Sequence, residues 1–341
     1  MERVEARKSD HLEVVLNRDV QGVHSTGLEK VKFAHVALPE IDFAAIDIST
    51  EFLGRRIAAP ILISSMTGGP RAAEAINKAI AEVANSIGLP FGVGSQRIAL
   101  ESSTLNAGLD RALRKLAPKV PILSNIGAAQ LVIWDDPVSC CARAVAAIEA
   151  DALIVHLNPL QEAVQEGGDR NWKGVLTALE RVARSLPVPL IAKEVGAGIS
   201  GVVARRLWNA GVRIIDVAGT GGTSWAQVEA ECATSAKQRA VASAFRDWGI
   251  PTADAIVEVR QACPEATVIA SGGIRSGIDI ARSIRLGADL GAQAAGVLTH
   301  AMDAPAALVT HLETLIEQLK VACFCTGSPN LAALRTAALQ P

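Results

Sequence analysis

Short apolar runs alternate with longer amphipathic segments along the chain from residue 59 onward. Each run is rich in Val, Ile or Leu and ends in Gly, Ser, Thr, Asn or a charged residue. Eight such runs are present, beginning at positions 59, 89, 121, 152, 189, 213, 267 and 290. The segments between them, such as RAAEAINKAIAEVANSIG, carry apolar residues at helical spacing. The pattern predicts eight strands that alternate with helices.

Eight strand–helix repeats predict a (β/α)8 TIM barrel with an N-terminal extension. Parallel strands need crossover connections, and eight of them close a sheet into a barrel. The alternative is an open doubly wound sheet, which usually has fewer strands. We assign residues 1–58 to an arm and cap and residues 59–341 to the barrel, within a single domain. Segments 35–50 and 51–60 predict short strands or a cap over the barrel's N-terminal face, and the long connection 222–250 is expected to cover the active site.

Composition narrows the class of protein without changing the predicted fold. Tyr is absent and aromatic residues make up 3% of the chain, so the core must be built from Ala, Val, Ile and Leu. Lys and Arg (33) nearly balance Asp and Glu (35), which gives no indication of a nucleic-acid or membrane-surface partner. No apolar run reaches the length of about 18 residues that a membrane span needs. The charged N-terminus does not resemble a secretory signal, and the six Cys show no C-x-x-C spacing, so we expect a cytoplasmic protein with reduced thiols.

Polar residues follow the predicted strands, at the end of a barrel where active sites form. Any one of them could be a turn residue, but their recurrence at one end of the barrel predicts a site there. The candidates are Ser65, Met66 and Thr67 after the first strand, Ser95 and Arg97 after the second, Asn125 on the third, His156, Asn158, Gln161 and Glu162 after the fourth, Lys193 on the fifth, Thr223 after the sixth, Gly272, Gly273 and Arg275 after the seventh, and Ala294 and Ala295 after the eighth.

The segment SGGIRSG at 271–277 predicts a phosphate site. It follows the seventh strand and opens a helix, where glycines let backbone N–H groups approach an anion. The alternative is a tight turn with no ligand. Lys193, inside the apolar run LIAKEVG, must face the barrel mouth or be paired, because burial of a lone ammonium is costly. It could balance charge on a reduced flavin, or form a structural ion pair with Glu194 or Asp216.

The segment HLNPLQE at 156–162 combines a carboxylate with amide groups. Such a set can hold Mg²⁺ that also contacts substrate phosphate oxygens, with Glu162 as the metal ligand. Glu162 could instead be a first-turn helix carboxylate, and His156 a hydrogen-bonded core residue. Arg7 and Lys8, with His11 nearby, lie in a polar arm that could be a solvated surface. Together with Arg97 they would suit a diphosphate.

Taken together, these residues resemble the type 2, FMN-dependent isopentenyl-diphosphate delta-isomerases. RKSDH together with HLNPLQE is the most specific pair, whereas SGGIR occurs in many FMN barrels. The matching segments are RKSDH at 7–11, SSMTGG at 64–69, GVGSQR at 92–97, SNIGAAQL at 124–131, HLNPLQEAVQEGGDRNWKG at 156–174, KEVGAGIS at 193–200, DVAGTGGTSW at 216–225, FRDWGIPT at 245–252 and SGGIRSGIDIARSIRLGAD at 271–289.

The resemblance implies an isomerase of isoprenoid biosynthesis that interconverts isopentenyl and dimethylallyl diphosphates, with FMN, Mg²⁺ and NADPH as reductant. It also implies a homotetramer or homooctamer. Carried over by position, the catalytic residues are Gln161, His156 and Asn158, and Glu162 holds the metal. The FMN contacts are Ser65, Met66, Thr67, Ser95, Asn125, Lys193, Thr223, Gly272, Gly273, Arg275, Ala294 and Ala295. The diphosphate contacts are Arg7, Lys8, Ser95, Arg97 and Gln161, and Trp225 packs near the flavin or the substrate tail.

Two segments depart from the family pattern. The family usually reads Pro-Glu-Gly-Asp where this chain has Glu166, Gly167, Gly168 and Asp169, and the segment GAQAAGV at 291–297 is smaller than usual. The alternative function is another FMN-dependent TIM-barrel oxidoreductase, for which His300 is the only late His near a strand end. A barrel that binds flavin or a prenyl diphosphate without turnover is the non-catalytic alternative.

Overall fold

Eight parallel strands close into a barrel in the computed structural model, which describes residues 11, 13–65, 70–101 and 108–340. A two-stranded antiparallel hairpin, β1 (Thr50–Phe52) and β2 (Arg55–Ile57), precedes it. The barrel strands follow one another around the ring in chain order, with the last pairing to the first. They are β3 (Ile61–Ile63), β4 (Phe91–Gly92), β5 (Ile122–Gly127), β6 (Ala152–Leu157), β7 (Leu190–Glu194), β8 (Ile214–Asp216), β9 (Thr267–Ala270) and β10 (Leu290–Gln293). The predicted TIM barrel is confirmed, and all eight predicted strands are present.

Helices surround the barrel and connect its strands. Two 3-10 turns at Leu28–Lys30 and Phe43–Ala45 lie in the N-terminal extension. The helices are α1 (Pro70–Ile87), α2 (Arg97–Glu101), α3 (Arg111–Leu116), α4 (Gln130–Ile133), α5 (Pro137–Ile148), α6 (Pro159–Val164), α7 (Val175–Ser185), α8 (Gly201–Asn209), α9 (Trp225–Glu231), α10 (Ala236–Ser243), α11 (Thr252–Ala262), α12 (Gly277–Leu286), α13 (Ala295–Asp303), α14 (Pro305–Cys325) and α15 (Leu331–Arg335). None of the helices that the structure describes is long and apolar enough to cross a membrane.

Side chains at the helix starts explain where several of these helices begin. Ser200, Ser224 and Ser235 each accept a hydrogen bond from a backbone N–H of the first turn that follows. Ser276 and Asp279 form a reciprocal capping box at the start of α12. Each cap satisfies N–H groups that have no partner within the helix. These short polar residues therefore mark the boundaries between strand ends and helices.

The hairpin β1–β2 closes the amino-terminal end of the barrel. Phe52 and Ile57 are buried there against residues that point into the barrel from several strands. The apolar partners are Leu62, Leu123, Ala152, Ile154, Ile191, Ile214, Ile269, Leu290 and Ala292. An apolar plug of this kind keeps water out of the lower barrel, because the large side chains fill the space between the strands.

The N-terminal arm and the long connection between β8 and α11 meet at the carboxyl-terminal mouth. Gln21 forms an isolated β-bridge with Thr223. Ser224 N–H donates to the Val20 carbonyl and Gly22 N–H donates to the Gly222 carbonyl. The connection itself contains α9 and α10. The bridge therefore fixes the arm beside the ends of β7 and β8.

Loss of a plug side chain should destabilise the fold strongly. Leu62 is 1% exposed, whereas Leu38 is 75% exposed. Leu62→Ala should lower the free energy of unfolding by about 2–5 kcal/mol, because a buried Leu→Ala change removes apolar contact and leaves a cavity. Leu38→Ala should stay within about 0.5 kcal/mol of the unchanged protein. Urea unfolding followed by tryptophan fluorescence measures both, and equal losses would show that the hairpin does not seal a packed barrel end.

Candidate functional site

A cleft of about 550 Å³ opens at the carboxyl-terminal mouth of the barrel, beside β7, β8, β9 and β10. The arm contributes Val15, Leu16 and Gln21 to its wall. Eight of the residues predicted to bind flavin line this cleft: Ser65, Lys193, Thr223, Gly272, Gly273, Arg275, Ala294 and Ala295. The predicted residues Met66 and Thr67 lie outside the described part of the chain. The sequence therefore located this cleft through residues from five different connections.

Gly272 and Gly273 bring two connections into close backbone contact. Both have positive φ, 94° and 70°. A Cβ on Gly272 would lie 2.1 Å from the Gly219 carbonyl oxygen, and one on Gly273 would lie 2.4 Å from that of Gly221. Only glycine fits here. Arg275 donates to the Gly221 carbonyl at 3.0 Å and to Gln21 Oε1 at 3.3 Å, which ties this turn to the arm.

The starts of α12 and α13 differ in the backbone N–H groups that they leave open toward this cleft. The N–H groups of Arg275 and Ser276 already donate to Asp279 at the start of α12. By contrast, Ala294 supplies no side-chain cap to α13, and Ala294, Ala295 and Gly296 all line the cleft. An uncapped helix start favours an anion through its N–H groups and dipole. Because Ala294, Ala295 and Gly296 have small side chains or none, they leave the start of this helix open to the cleft.

Two polar groups in the cleft fit a flavin. The hydroxyl of Ser65 is buried and has no hydrogen-bond partner among the described residues. Lys193 is 8% exposed, and its ammonium donates to the Glu194 carbonyl at 2.7 Å. Lys193 makes no ion pair with Glu194 or Asp216 among the described residues. An unmatched hydroxyl and a positive charge lining one cleft suit the polar edge of an isoalloxazine ring.

Asp216 is buried opposite Lys193 on the neighbouring strand. Burial raises the pKa of Asp216, while the positive charge of Lys193 and the hydrogen bond from Ser271 oppose that shift. Ser271 Oγ donates to Asp216 Oδ1 at 2.5 Å. Burying a carboxylate is costly unless it is hydrogen-bonded. The pair therefore helps fix the ends of β8 and β9 below the cleft.

A second group of polar side chains occupies the other half of the mouth, at the ends of β5 and β6. His156 Nδ1 lies 2.9 Å from Asn125 Oδ1, and Asn125 Nδ2 donates to the Val93 carbonyl at 3.1 Å. Asn158 Nδ2 donates to Gln161 Oε1 at 3.1 Å and to Glu162 Oε1 at 3.0 Å. Asn158 Oδ1 is buried without a partner among the described residues. Of the three predicted catalytic residues, Asn158 and Gln161 are hydrogen-bonded to each other, whereas His156 is held by Asn125.

The carboxylate of Glu162 is held by its own connection. Its Oε2 accepts from Asp169 N–H at 2.6 Å and from Gln165 Nε2 at 3.4 Å. A Cβ on Gly168 would lie 2.2 Å from the Glu162 carbonyl oxygen. The unusual glycine at 168 therefore allows this connection to turn back onto the start of α6. No group of three or more His, Cys, Asp or Glu side chains suited to a metal occurs in the described ranges.

Arg97 is held at the rim of this half of the mouth. Its NH1 donates to Asp169 Oδ2 at 2.7 Å and its Nε donates to Glu101 Oε1 at 3.2 Å. Gln130 Nε2 also donates to Asp169, at 3.2 Å. Arg97, which was predicted to bind the substrate diphosphate, therefore forms ion pairs with the carboxylates of Asp169 and Glu101 in this structure. Ser95 lies between β4 and Arg97, away from the lining of the cleft, and Arg7 and Lys8 lie outside the described residues.

A buried carboxylate that was not predicted joins the arm to the second polar group. Glu229, on α9, is 3% exposed. Its Oε1 accepts from Gln161 Nε2 at 2.9 Å and lies 3.1 Å from His11 Nε2. His11 also packs edge-on against Trp225, with ring centroids 5.5 Å apart. In the sequence, this contact was indicated only by the spacing of Trp225 and Glu229. They are four residues apart and therefore lie on one face of a helix.

The relatives of this chain show which family it belongs to. The FMN-dependent dehydrogenase family model matches residues 146–341. An isopentenyl-diphosphate delta-isomerase from Stutzerimonas stutzeri (strain A1501) is 57% identical over 98% of this chain and 96% of its own length. One from Pseudescherichia vulneris is 54% identical over the same shares of the two chains. This chain belongs to the isopentenyl-diphosphate delta-isomerase family. The predicted resemblance is therefore confirmed, and the match to an FMN-dependent family supports FMN as the cofactor.

Solved structures outside this isomerase family share its fold. Mandelate oxidase in complex with (S)-2-phenylpropionate superposes with a TM-score of 0.68 at 18% identity, covering 99% of this chain and 97% of its own. A putative lactate oxidase from Pediococcus acidilactici gives a TM-score of 0.65 at 15% identity, covering 99% of this chain and 93% of its own. At such low identity the likeness shows only that the isomerase family and these oxidases use the same barrel.

The close packing of Gly272 predicts a large effect of one added methyl group. Gly272→Ala should destabilise the protein by more than the about 1–2 kcal/mol of left-handed strain alone, because its Cβ would overlap the Gly219 carbonyl. Gly54 is the matched control, since its φ is +71° but nothing lies within 4 Å of a Cβ there. Thermal unfolding measures both variants. Equal losses for the two would mean that the contact between the connections is not tight.

Proposed function

We propose that this protein interconverts isopentenyl and dimethylallyl diphosphates, using reduced FMN and Mg²⁺, in isoprenoid biosynthesis. The observation that carries the proposal is the hydrogen-bonded chain from Asn158 through Gln161 to Glu229, which lies at the same barrel mouth as the flavin-shaped cleft. The reaction moves a double bond by adding one proton and removing another, with no net oxidation. It therefore needs groups that hold and move protons beside the cofactor.

The cleft residues would hold FMN along its length. Ser65 and Lys193 would meet the polar edge of the ring, and the start of α13 would receive the phosphate. Lys193 would favour the negative charge of a reduced flavin, since an ammonium in a partly desolvated site stabilises an anion. When bound, the reduced flavin supplies acid/base chemistry at its ring nitrogen. NADPH is the proposed reductant that brings FMN to this state.

The neighbourhood of Asn158 would hold Mg²⁺ and the diphosphate. One amide nitrogen of Asn158 now lies between Gln161 Oε1 and Glu162 Oε1. If the amide rotates, its unpaired oxygen takes that place, and three oxygens then converge. Mg²⁺ prefers such oxygen ligands and shares them with substrate phosphates. The same hydrogen bonds also fit the simpler role of Glu162 as a helix-start carboxylate, so the metal has to be tested.

Glu229 would orient Gln161 for the proton transfers. Because the carboxylate can only accept, Gln161 must turn its amide nitrogen toward Glu229, which directs Gln161 Oε1 toward Asn158. His156 would be held through Asn125. Trp225 would close one side of the site beside His11. Exclusion of water by these packed groups protects a cationic intermediate, since water would otherwise capture it.

The N-terminal arm would complete the substrate site. The described part of the arm, from His11 to Gln21, already lies against α9 and the cleft. Arg7 and Lys8 lie outside the described residues and stand four and three positions before His11 in the sequence. With Arg97 they would offset the charge that Mg²⁺ leaves on the diphosphate. Arg97 would then exchange a carboxylate partner for a phosphate.

Assembly and location remain proposals that follow from the family. We propose a homotetramer or homooctamer in the cytoplasm. The alternative oxidoreductase would need a base in the cleft. His300, the late His that such an enzyme could use as a base, stacks on His311 with ring centroids 4.3 Å apart. His311 Nε2 in turn lies 2.7 Å from Gln293 Oε1, which holds both rings at one end of the cleft.

An anaerobic assay tests the proposed activity. The purified protein with FMN, Mg²⁺ and NADPH should convert isopentenyl diphosphate to dimethylallyl diphosphate, and the yellow flavin should bleach as it is reduced. Omission of FMN or of reductant should remove the activity. Oxidation of lactate or mandelate without isomerisation would favour the oxidoreductase instead. Flavin binding without either reaction would favour the non-catalytic barrel.

Substitution of Glu162 tests the metal ligand. Glu162→Gln should raise the Mg²⁺ concentration needed for half-maximal activity by at least about 10-fold, since loss of even an outer partner of a metal weakens binding 10–100-fold. FMN binding should persist. Glu166→Gln is the matched control, because Glu166 lies on the same connection but bonds Thr234 at 2.8 Å. A Mg²⁺ titration that Glu162→Gln leaves unchanged would show that this carboxylate serves only the helix start.

A further inference from the structure

Glu194, the last residue of β7, forms an unusual turn with its own backbone. The side chain is 5% exposed, and a single carboxylate oxygen, Oε2, accepts four backbone N–H groups. The donors are Val195 and Gly196, both at 2.6 Å, Ala197 at 2.5 Å and Gly198 at 3.2 Å, and the Gly198 N–H also donates to the Ala218 carbonyl at 2.9 Å. The ionised carboxylate holds such a set of N–H groups more strongly than the neutral acid does, because its hydrogen bonds are charge-assisted.

The same residue accepts the ammonium of Lys193 through its backbone carbonyl. Lys193 Nζ lies 2.7 Å from the Glu194 carbonyl oxygen. That carbonyl belongs to the same peptide group as the Val195 N–H that bonds Oε2. A trans peptide group is planar, with its C=O and N–H pointing in opposite directions. When the carboxylate fixes the N–H, it therefore fixes the direction of the carbonyl as well.

We propose that Glu194 is a positioning residue whose carboxylate, acting through the 194–195 peptide group, holds the Lys193 ammonium at the flavin cleft. Lys193 lines the cleft, whereas Glu194 lies behind it in a small pocket beside Arg246 and Gln161. Glu194 thus acts on the cofactor only through Lys193. As far as it concerns flavin, the inference rests on the function proposed above.

The Glu194 carboxyl group changes its charge near neutral pH. Burial raises its pKa to about 7, while the backbone N–H groups and Lys193 oppose that shift. The groups that face this region are Lys193 beside it, His156 on β6, Asp216 on β8 and Arg246 from the long connection. Because the folded-state pKa lies above the ordinary value of 4.5 for a glutamate, this group contributes stability below about pH 4.5 that is lost as pH rises through about 7.

Function and stability therefore place opposite demands on this side chain. The ionised form is needed to hold the peptide group, yet it is the form that burial disfavours. Glu194→Gln keeps the shape but removes the charge, and its amide oxygen cannot bind four N–H groups as strongly. The variant should be at least as stable as the unchanged protein at pH 8.5, although its cleft is less well ordered.

Flavin binding provides the first measurement. At pH 8.5 the Glu194→Gln protein should bind FMN about 10-fold more weakly, the size expected for one charge-assisted hydrogen bond. The difference from the unchanged protein should shrink toward pH 6, where Glu194 itself is protonated. Titration of the FMN phosphate affects both proteins equally and cancels in this comparison. The thermal midpoint at pH 8.5 should not fall, whereas a purely structural role would lower the midpoint and the affinity together.

Glu258→Gln is the matched control for Glu194→Gln. Glu258 also accepts a backbone N–H of the β7–α8 connection, from Gly201 at 3.0 Å, but it is exposed and bonds only that one of the donors described. It should change neither FMN affinity nor its pH dependence. FMN affinity that Glu194→Gln leaves unchanged at pH 8.5 would overturn the proposal while leaving the flavin assignment intact.

Hydrogen exchange tests the turn without flavin. The amides of residues 195–197 should exchange at least about 10-fold faster in Glu194→Gln than in the Glu258→Gln control, because they lose a charged acceptor, whereas the Gly198 amide keeps the Ala218 carbonyl. If the variant does not fold, the protection factors of these amides in the unchanged protein should fall between pH 8 and pH 6. Absence of FMN binding by the unchanged protein would contradict the proposed function, and exchange would still decide the role of Glu194. Protection that does not depend on Glu194 or on pH would overturn the inference.

Discussion

Hydrogen bonding between parallel neighbours places Gly127, His156, Lys193 and Asp216 at one level of the barrel. His156 pairs with Gly127 on one side and with Lys193 on the other, and Lys193 pairs with Asp216. This register is set by apolar side chains further down the strands, which must point into the sealed lower barrel or toward the helices. Since a shift of one residue would reverse which side chains face inward, burial of the apolar residues fixes the level of the polar ones. The positions of His156 and Lys193 therefore depend on that packing.

The two halves of the mouth have different physical characters. The half beside β7 to β10 is lined mainly by glycines and alanines, with Lys193 and Arg275 as its charged side chains among the described Lys, Arg, Asp and Glu residues. The half beside β5 and β6 is built from amides and carboxylates that bond to one another. The arm and α9 connect the halves through Gln21, which lines the cleft, and Glu229, which holds Gln161. Within the proposed function, this division separates cofactor binding from the groups that handle the substrate.

The barrel was predictable because each strand carries its own local signal. An apolar run followed by a polar turn is visible in a few residues, and the eight runs appear in the structure as the eight barrel strands. The residues of the cleft were predictable for the same reason, since they directly follow strands. Glu229 was not predictable, because its contacts with Gln161 and His11 form only when α9 packs against them in the folded protein. The partners of Arg97 were hidden likewise, since Asp169 reaches it from another connection.

The chemistry of Lys193 depends on how a strand ends rather than on the lysine alone. The sequence KEVGAG looks like a charged pair before a glycine turn, which suggests attraction between the two side chains. The structure instead directs the Glu194 carboxylate onto the backbone and the Lys193 ammonium onto the Glu194 carbonyl. A direct pair would neutralise both charges and remove the lysine from the cleft. Because the two side chains are linked through a rigid peptide group, the Lys193 ammonium lies at the cleft and not against the Glu194 carboxylate. A buried carboxylate that reduces stability at high pH can persist where it serves this arrangement.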